Sequence, residues 1–234
     1  FLVQAGSGPA ALGVPSSPGV PDGAASPTRV ARYNDLDSVE AALASGDVAA
    51  VIVEPVAGNM GCVPPRPGFL AGLRHLCDTH GALLIFGEVM TGFRVALGGA
   101  QERFGVTPDL TALGKVVAGG TPGAAYGGRT DLMRLVAPDG PVYQAGTLAG
   151  NPLVTAAGLA TLRYLAGHRD LYRRFESAGE TVAASLNEAF HRIGRAGLVT
   201  HVGGMFGIFL GVESAHDWDD VSGVDRDWFA RFFH

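Results

Sequence analysis

The sequence predicts an α/β fold: a mostly parallel sheet up to about residue 167, followed by the start of a smaller α+β unit. Three observations carry this. Short, continuously apolar runs recur at residues 50–53, 82–86 and, more weakly, 110–113, as expected of strands buried on both faces. Between the first two lies a segment of helical spacing, residues 68–79, which gives the strand–helix–strand rhythm of a parallel sheet. Hydrophobic residues make up 47% of the 234 positions and charged residues 17%, a balance that suits a large core and argues against a disordered chain.

Residues 4–28 are rich in Gly, Pro, Ala and Ser and predict a long loop, of the kind that is functional or disordered when it lies within a compact domain. Asn34 and Asp35 offer a helix start for residues 36–44. In the helical segment 68–79, Leu70, Leu73, Leu76 and Cys77 share one side. Residues 152–165 and 170–194 predict two further helices joined near Gly167, and residues 205–210 (MFGIFL) predict a strand. At the end of the chain, Trp228, Phe229, Phe232 and Phe233 form an aromatic helical stripe with nothing left to cover it. The chain opens on Phe1, Leu2 and Val3, which read as part of a strand, so both ends predict a piece of a longer protein. The expected division is residues 1–167 for the large unit and 168–234 for the small one.

Several function classes fall away. A formal charge of −5 gives no electrostatic basis for binding nucleic acid or an anionic membrane, and no apolar run reaches membrane-spanning length. Two cysteines, Cys62 and Cys77, make no disulfide framework, and a reducing cytoplasm is the expected setting. Gly114–Lys115 is not a phosphate loop, because Asp109 stands where the first glycine is required and Val116 where Ser or Thr is. Gly6-Ser7-Gly8 lacks the flanking glycines of a hydrolase elbow. His75, Cys77 and His80 do not have the spacing of a zinc helix, so no metal is expected.

The polar residues Glu54, Asn59, Glu88 and Lys115 all follow apolar runs closely, where open α/β sheets bind ligands. Lys115 stands out among them. It sits between Leu113 and Val116–Val117, which predicts a buried base, and Gly119–Gly120 behind it allow close backbone approach. A desolvated lysine amine is a nucleophile toward an aldehyde. Glu88 and Arg94 are expected to form a structural ion pair nearby.

Four stretches together resemble the class III aminotransferase family: VIVEPVAGNMG (51–61), GALLIFGEVMTGFRVALGGAQ (81–101), GVTPDLTALGKVVAGGTPGAAYGG (105–128) and VYQAGTLAGNP (142–152). The resemblance implies a fold-type I transferase that uses pyridoxal 5'-phosphate and passes through its pyridoxamine phosphate form. It also implies a small-molecule substrate and a homodimer with its sites at the interface. Lys115 matches the lysine that bonds to the cofactor and later shuttles a proton. Asn59 matches a side chain near the cofactor's phenolic oxygen, and Val89 a residue packed on one face of its ring. Thr147, with the Gly146 backbone, resembles a phosphate contact reaching across from the partner subunit, while Ser7 and Tyr143 border the substrate.

At one position the chain departs from that pattern. The family carries an aspartate immediately before Glu88, paired with the cofactor's ring nitrogen; here the residue is Gly87. Glu88 is a poor substitute, because successive strand residues point to opposite faces. Two expectations therefore stand side by side: an amino-transferring enzyme, and a homologue that binds without turnover.

Overall fold

The computed structural model describes residues 27–234. The predicted strand at residues 1–3, nearly all of the loop at 4–28 and the candidate Ser7 lie outside the described residues.

Three of the expected strands are present and parallel: β1 (Ala50–Val53), β2 (Leu83–Glu88) and β3 (Leu110–Leu113). A fourth, β4 (Ala125–Gly128), joins antiparallel beside β3, so the sheet order is β1-β2-β3-β4. The sequence gives little sign of β4, since AYGG has no apolar run; it is held by edge pairing with β3 instead. β2 continues past its apolar run because Gly87 and Glu88 still pair with Ala112 and Leu113.

Helix α1 (Leu36–Leu43) starts at Asp35, whose side chain accepts from the Ser38 amide. Helix α2 (Phe69–His80) lays Leu70, Leu73 and Cys77 against Leu84 and Phe86 of β2, with Val39 and Leu43 of α1 closing the same cluster. Cys77 is therefore a core residue, while His75 is exposed. Two short helices that the periodicity does not reveal follow, α3 (Gly99–Phe104) and α4 (Thr130–Met133). The two long helices appear as expected, α5 (Pro152–Gly167) and α6 (Asp170–Arg192). Asn151 caps α5, its side chain accepting from the Leu153 and Val154 amides, with Pro152 in the first turn.

After α6 comes an antiparallel hairpin of β5 (Gly197–Val202) and β6 (Met205–Leu210), then α7 (Trp218–Ser222) and α8 (Arg226–Phe233). The hairpin shares a core with the large unit, where Val202 and Met205 pack with Val56, Cys62, Val95 and Ala100. The aromatic stripe on α8 is partly covered after all. Trp228 meets Phe190 edge-on at 5.7 Å, and the Arg195 guanidinium lies 4.0 Å above its ring. Phe229, Phe232 and Phe233 remain exposed. Among the described residues no helix is long and apolar enough to cross a membrane.

Candidate active site

Because β1, β2 and β3 run parallel, their carboxyl ends share one edge of the sheet, and Glu54, Glu88 and Lys115 all lie along it. Lys115 opens a short 3-10 turn, Lys115–Ala118, with φ at 50°, in the left-handed region that is costly for a residue with a side chain. Such a conformation persists only where its surroundings hold it, and α5 does so. A Cβ on Gly119 would lie 2.5 Å from the Ala157 carbonyl oxygen, and one on Gly158 would collide with the Val117 carbonyl. Two glycines thus let the turn and the helix touch backbone to backbone.

Lys115 is exposed, which corrects the expected buried base: the left-handed turn swings the residue out of the line of β3. It borders a cleft of about 760 Å³ together with Arg94, Val116, Thr121 and Gly123. It is also the only lysine in the sequence, every other Lys or Arg position being arginine.

Glu88 and Arg94 do not form the expected ion pair. Glu88 is fully buried and accepts from the Thr91 hydroxyl at 2.9 Å, the Ala100 amide at 2.6 Å and the Gln101 side chain at 2.9 Å. The charge is satisfied by donors rather than by a cation, and it ties β2 to the start of α3. Arg94 turns the other way: its Nε donates to the Met90 carbonyl at 3.2 Å and its side chain lines the Lys115 cleft. Glu88→Gln turns one acceptor oxygen into a donor facing an existing N–H donor. It should cost roughly 1–3 kcal/mol of stability, read as a lower denaturation midpoint; an unchanged midpoint would show that the network carries no net energy.

Val89 lies beside the lysine turn, since a Cβ on Gly114 would sit 3.0 Å from its Cγ1. The Asn59 loop reaches the same region, because a Cβ on Gly58 would run into the Met90 thioether. That loop is held from β1: Glu54 Oε2 accepts from the Gly58 amide at 2.7 Å and the Asn59 amide at 3.2 Å. Glu54 and Asn59 also border a second cavity of about 860 Å³ along the open side of β1. The structure therefore brings Lys115, Val89 and Asn59 to one edge. Tyr143, Gly146 and Thr147 are exposed, and like Val89 and Asn59 they do not themselves line the Lys115 cleft.

Two residues carry more than the sequence assigns them. Arg94 lines the Lys115 cleft rather than pairing with Glu88, and Glu54 holds the Asn59 loop as well as following a strand. The signal for Glu54 was available: if β1 and β2 are parallel and each ends at its acidic residue, Glu54 falls beside Gly87.

Residues 10–225 match the family model for aminotransferase class-III. The chain belongs to this family of pyridoxal-phosphate-dependent enzymes. It is 55% identical over 236 aligned residues to a glutamate-1-semialdehyde 2,1-aminomutase of Roseiflexus castenholzii, a match that takes in 100% of this chain and 54% of that one. It is similar to the crystal structure of an omega-transaminase from Sphaerobacter thermophilus, with TM-score 0.80, 34% identity, and coverage of 87% of this chain and 47% of that one. It also resembles a glutamate-1-semialdehyde aminomutase from Pseudomonas aeruginosa PAO1 in complex with PMP, with TM-score 0.78, 34% identity, and coverage of 91% and 49%. The chain spans about half the length of the relatives it matches.

The residues present fit a pyridoxal-type cofactor. The lone lysine offers an amine at an open cleft, and beside it Val89 gives an apolar surface. Gly114 adds no side chain that would crowd it. The misfit is Gly87, which offers no group to a ring nitrogen.

Proposed function

We propose that this chain is the cofactor-holding part of a glutamate-1-semialdehyde 2,1-aminomutase, which moves an amino group within one small substrate to give 5-aminolevulinate for tetrapyrrole synthesis. The observation that carries the reading is Lys115, the only lysine, held in a left-handed turn at the carboxyl edge of the sheet on the rim of a cleft. The 55% identity to a curated aminomutase supports the particular reaction. The large unit at residues 1–167 would hold the cofactor and the unit from 168 would begin the smaller domain, in a reducing cytoplasm.

In this reading Lys115 would hold the cofactor through its amine and move a proton at the substrate carbon, while Asn59 would donate toward the phenolic oxygen and Val89 would pack against the ring. Pyridoxal phosphate, when bound, supplies the electron sink for the carbanion chemistry. Conversion of glutamate 1-semialdehyde with no second amino donor or acceptor tests the reaction. If turnover appears only when a separate amino donor and keto acceptor are added, the protein is an ordinary class III aminotransferase. A non-catalytic homologue is the second reading, favoured by Gly87, and no turnover with either set of substrates would support it.

The exposed segment around Tyr143, Leu148 and Leu153 supports a homodimer in which Gly146 and Thr147 reach the phosphate of the partner's site. Thr147→Val removes a hydrogen bond to a charged acceptor and should weaken cofactor binding by on the order of 1.5–3 kcal/mol. Equilibrium dialysis measures it, and an unchanged dissociation constant would remove Thr147 from the phosphate site.

A further inference from the structure

Pyridoxal phosphate withdraws electrons best when its ring nitrogen is protonated, and a carboxylate in contact keeps the proton there. Gly87 provides none, yet its surroundings are not closed. A Cβ at that position would meet nothing nearer than the Val53 carbonyl oxygen at 3.5 Å, and the next atom is Glu54 Cγ at 3.7 Å. The register explains the neighbour. Val53 pairs with Phe86 and Gly87 with Ala112, so one residue further on Glu54 stands beside Gly87. In parallel strands such residues share a face, and adjacent strands are about 4.8 Å apart. Across this row the sheet offers Glu54, Gly87 and Ala112, of which Glu54 alone ionises.

We propose that Glu54 supplies, from the neighbouring strand, the carboxylate that faces the cofactor's ring nitrogen above Gly87. This rests on the cofactor reading given above. The cofactor's aldehyde carbon and its ring nitrogen lie at opposite ends of the ring. Were the cofactor attached at Lys115 after β3, with Val89 at the end of β2 against the ring, its nitrogen end would point toward Gly87 and β1. Glu54 is prepared for this role: Oε2 is fixed by the Gly58 and Asn59 amides, and Oε1 has no hydrogen-bond partner among the described residues. The same side chain thus positions Asn59 for the phenolic oxygen. Glu88, the other nearby acid, is turned to the opposite face and has both oxygens engaged. Gly87 becomes the space that lets a longer side chain reach in from the side.

The test uses the full reading frame that carries this chain, loaded with pyridoxal phosphate labelled with nitrogen-15 in the ring. Borohydride reduction first establishes attachment at Lys115. The nitrogen shift, followed against pH, then reports ring protonation without reference to turnover. The natural protein should show a protonated nitrogen near neutral pH. Glu54→Gln keeps an acceptor for the Gly58 and Asn59 amides but removes the charge, and should lower the nitrogen's proton affinity roughly tenfold to a thousandfold. Adding Gly87→Asp to that variant should restore it. If Glu54→Gln does not fold, Gly87→Asp alone decides. Little change supports Glu54, whereas conversion of an unprotonated nitrogen to a protonated one overturns it. A nitrogen unprotonated in the natural protein, or unmoved by Glu54→Gln, also overturns the assignment while leaving the cofactor reading intact. If no cofactor attaches at Lys115, the cofactor reading itself falls and the role of Glu54 with it.

Discussion

Lys115→Ala is expected to abolish covalent retention of pyridoxal phosphate and to lower turnover by roughly two to four orders of magnitude, the usual contribution of a placed acid–base group. The structure gives three reasons. Lys115 is the only lysine in the sequence, so no second amine of this kind is available within the chain. Its φ of 50° is a conformation an ordinary surface lysine has no reason to adopt. It is held there by backbone-to-backbone packing of its turn on α5 at Gly119 and Gly158. The packing fixes where the side chain starts from the backbone, while the exposed side chain itself keeps its rotamer freedom. The measurement is borohydride fixation followed by peptide mapping of the full-length protein. The label should lie on Lys115 and vanish in the alanine variant. A label elsewhere, or undiminished retention in the variant, would overturn the assignment. Lys115→Arg separates charge from chemistry, since a guanidinium keeps the positive charge but does not form the bond.

The parallel strands and long helices were legible because apolar runs and helical spacing encode burial directly, and the site edge followed from where those runs stop. What was not legible has a common cause in partners distant along the chain. β4 exists because the edge of β3 binds it, not because AYGG prefers a strand. The exposure of Lys115 depends on a left-handed turn packed on a helix some forty residues later, so its apolar neighbours in sequence misled. Glu88 was paired by proximity with Arg94, whereas its actual donors come from Thr91, Ala100 and Gln101. Glu54 needed the strand register before its closeness to Gly87 had meaning. Tyr143, Gly146 and Thr147 lie in an exposed segment that does not line the Lys115 cleft, so no burial pattern marks them in the sequence.

Asp109→Ala is expected to destabilise the fold by about 1–3 kcal/mol, the cost of leaving a buried strand amide without its acceptor and of losing hydrogen bonds to charged groups. Asp109 is 6% exposed and stands at the start of β3, where it ties three elements together. Its carboxylate accepts from the Leu84 amide of β2 at 2.8 Å, from Arg74 of α2 at 2.8 Å and from Arg129, just past β4, at 2.9 Å. Removing it leaves the Leu84 amide without its acceptor and takes one carboxylate from each guanidinium, Arg74 keeping Asp78 at 2.6 Å and Arg129 keeping Asp131 at 2.7 Å. Burial alone would raise the carboxyl's pKa, but hydrogen bonds from Arg129, the Leu84 amide and Arg74 outweigh it and hold the group at about 2, below the usual 3.8. The sign follows: the folded state binds this proton more weakly than the unfolded state. The stabilisation is therefore fully present above pH ~4 and is lost as pH falls through about 2. Denaturant midpoints of the natural protein and of Asp109→Ala should lie well apart at pH 7 and draw together between roughly pH 4 and pH 2. Two profiles that stay parallel down to pH 2 would show that the clamp works through shape alone and that the charge of Asp109 contributes nothing.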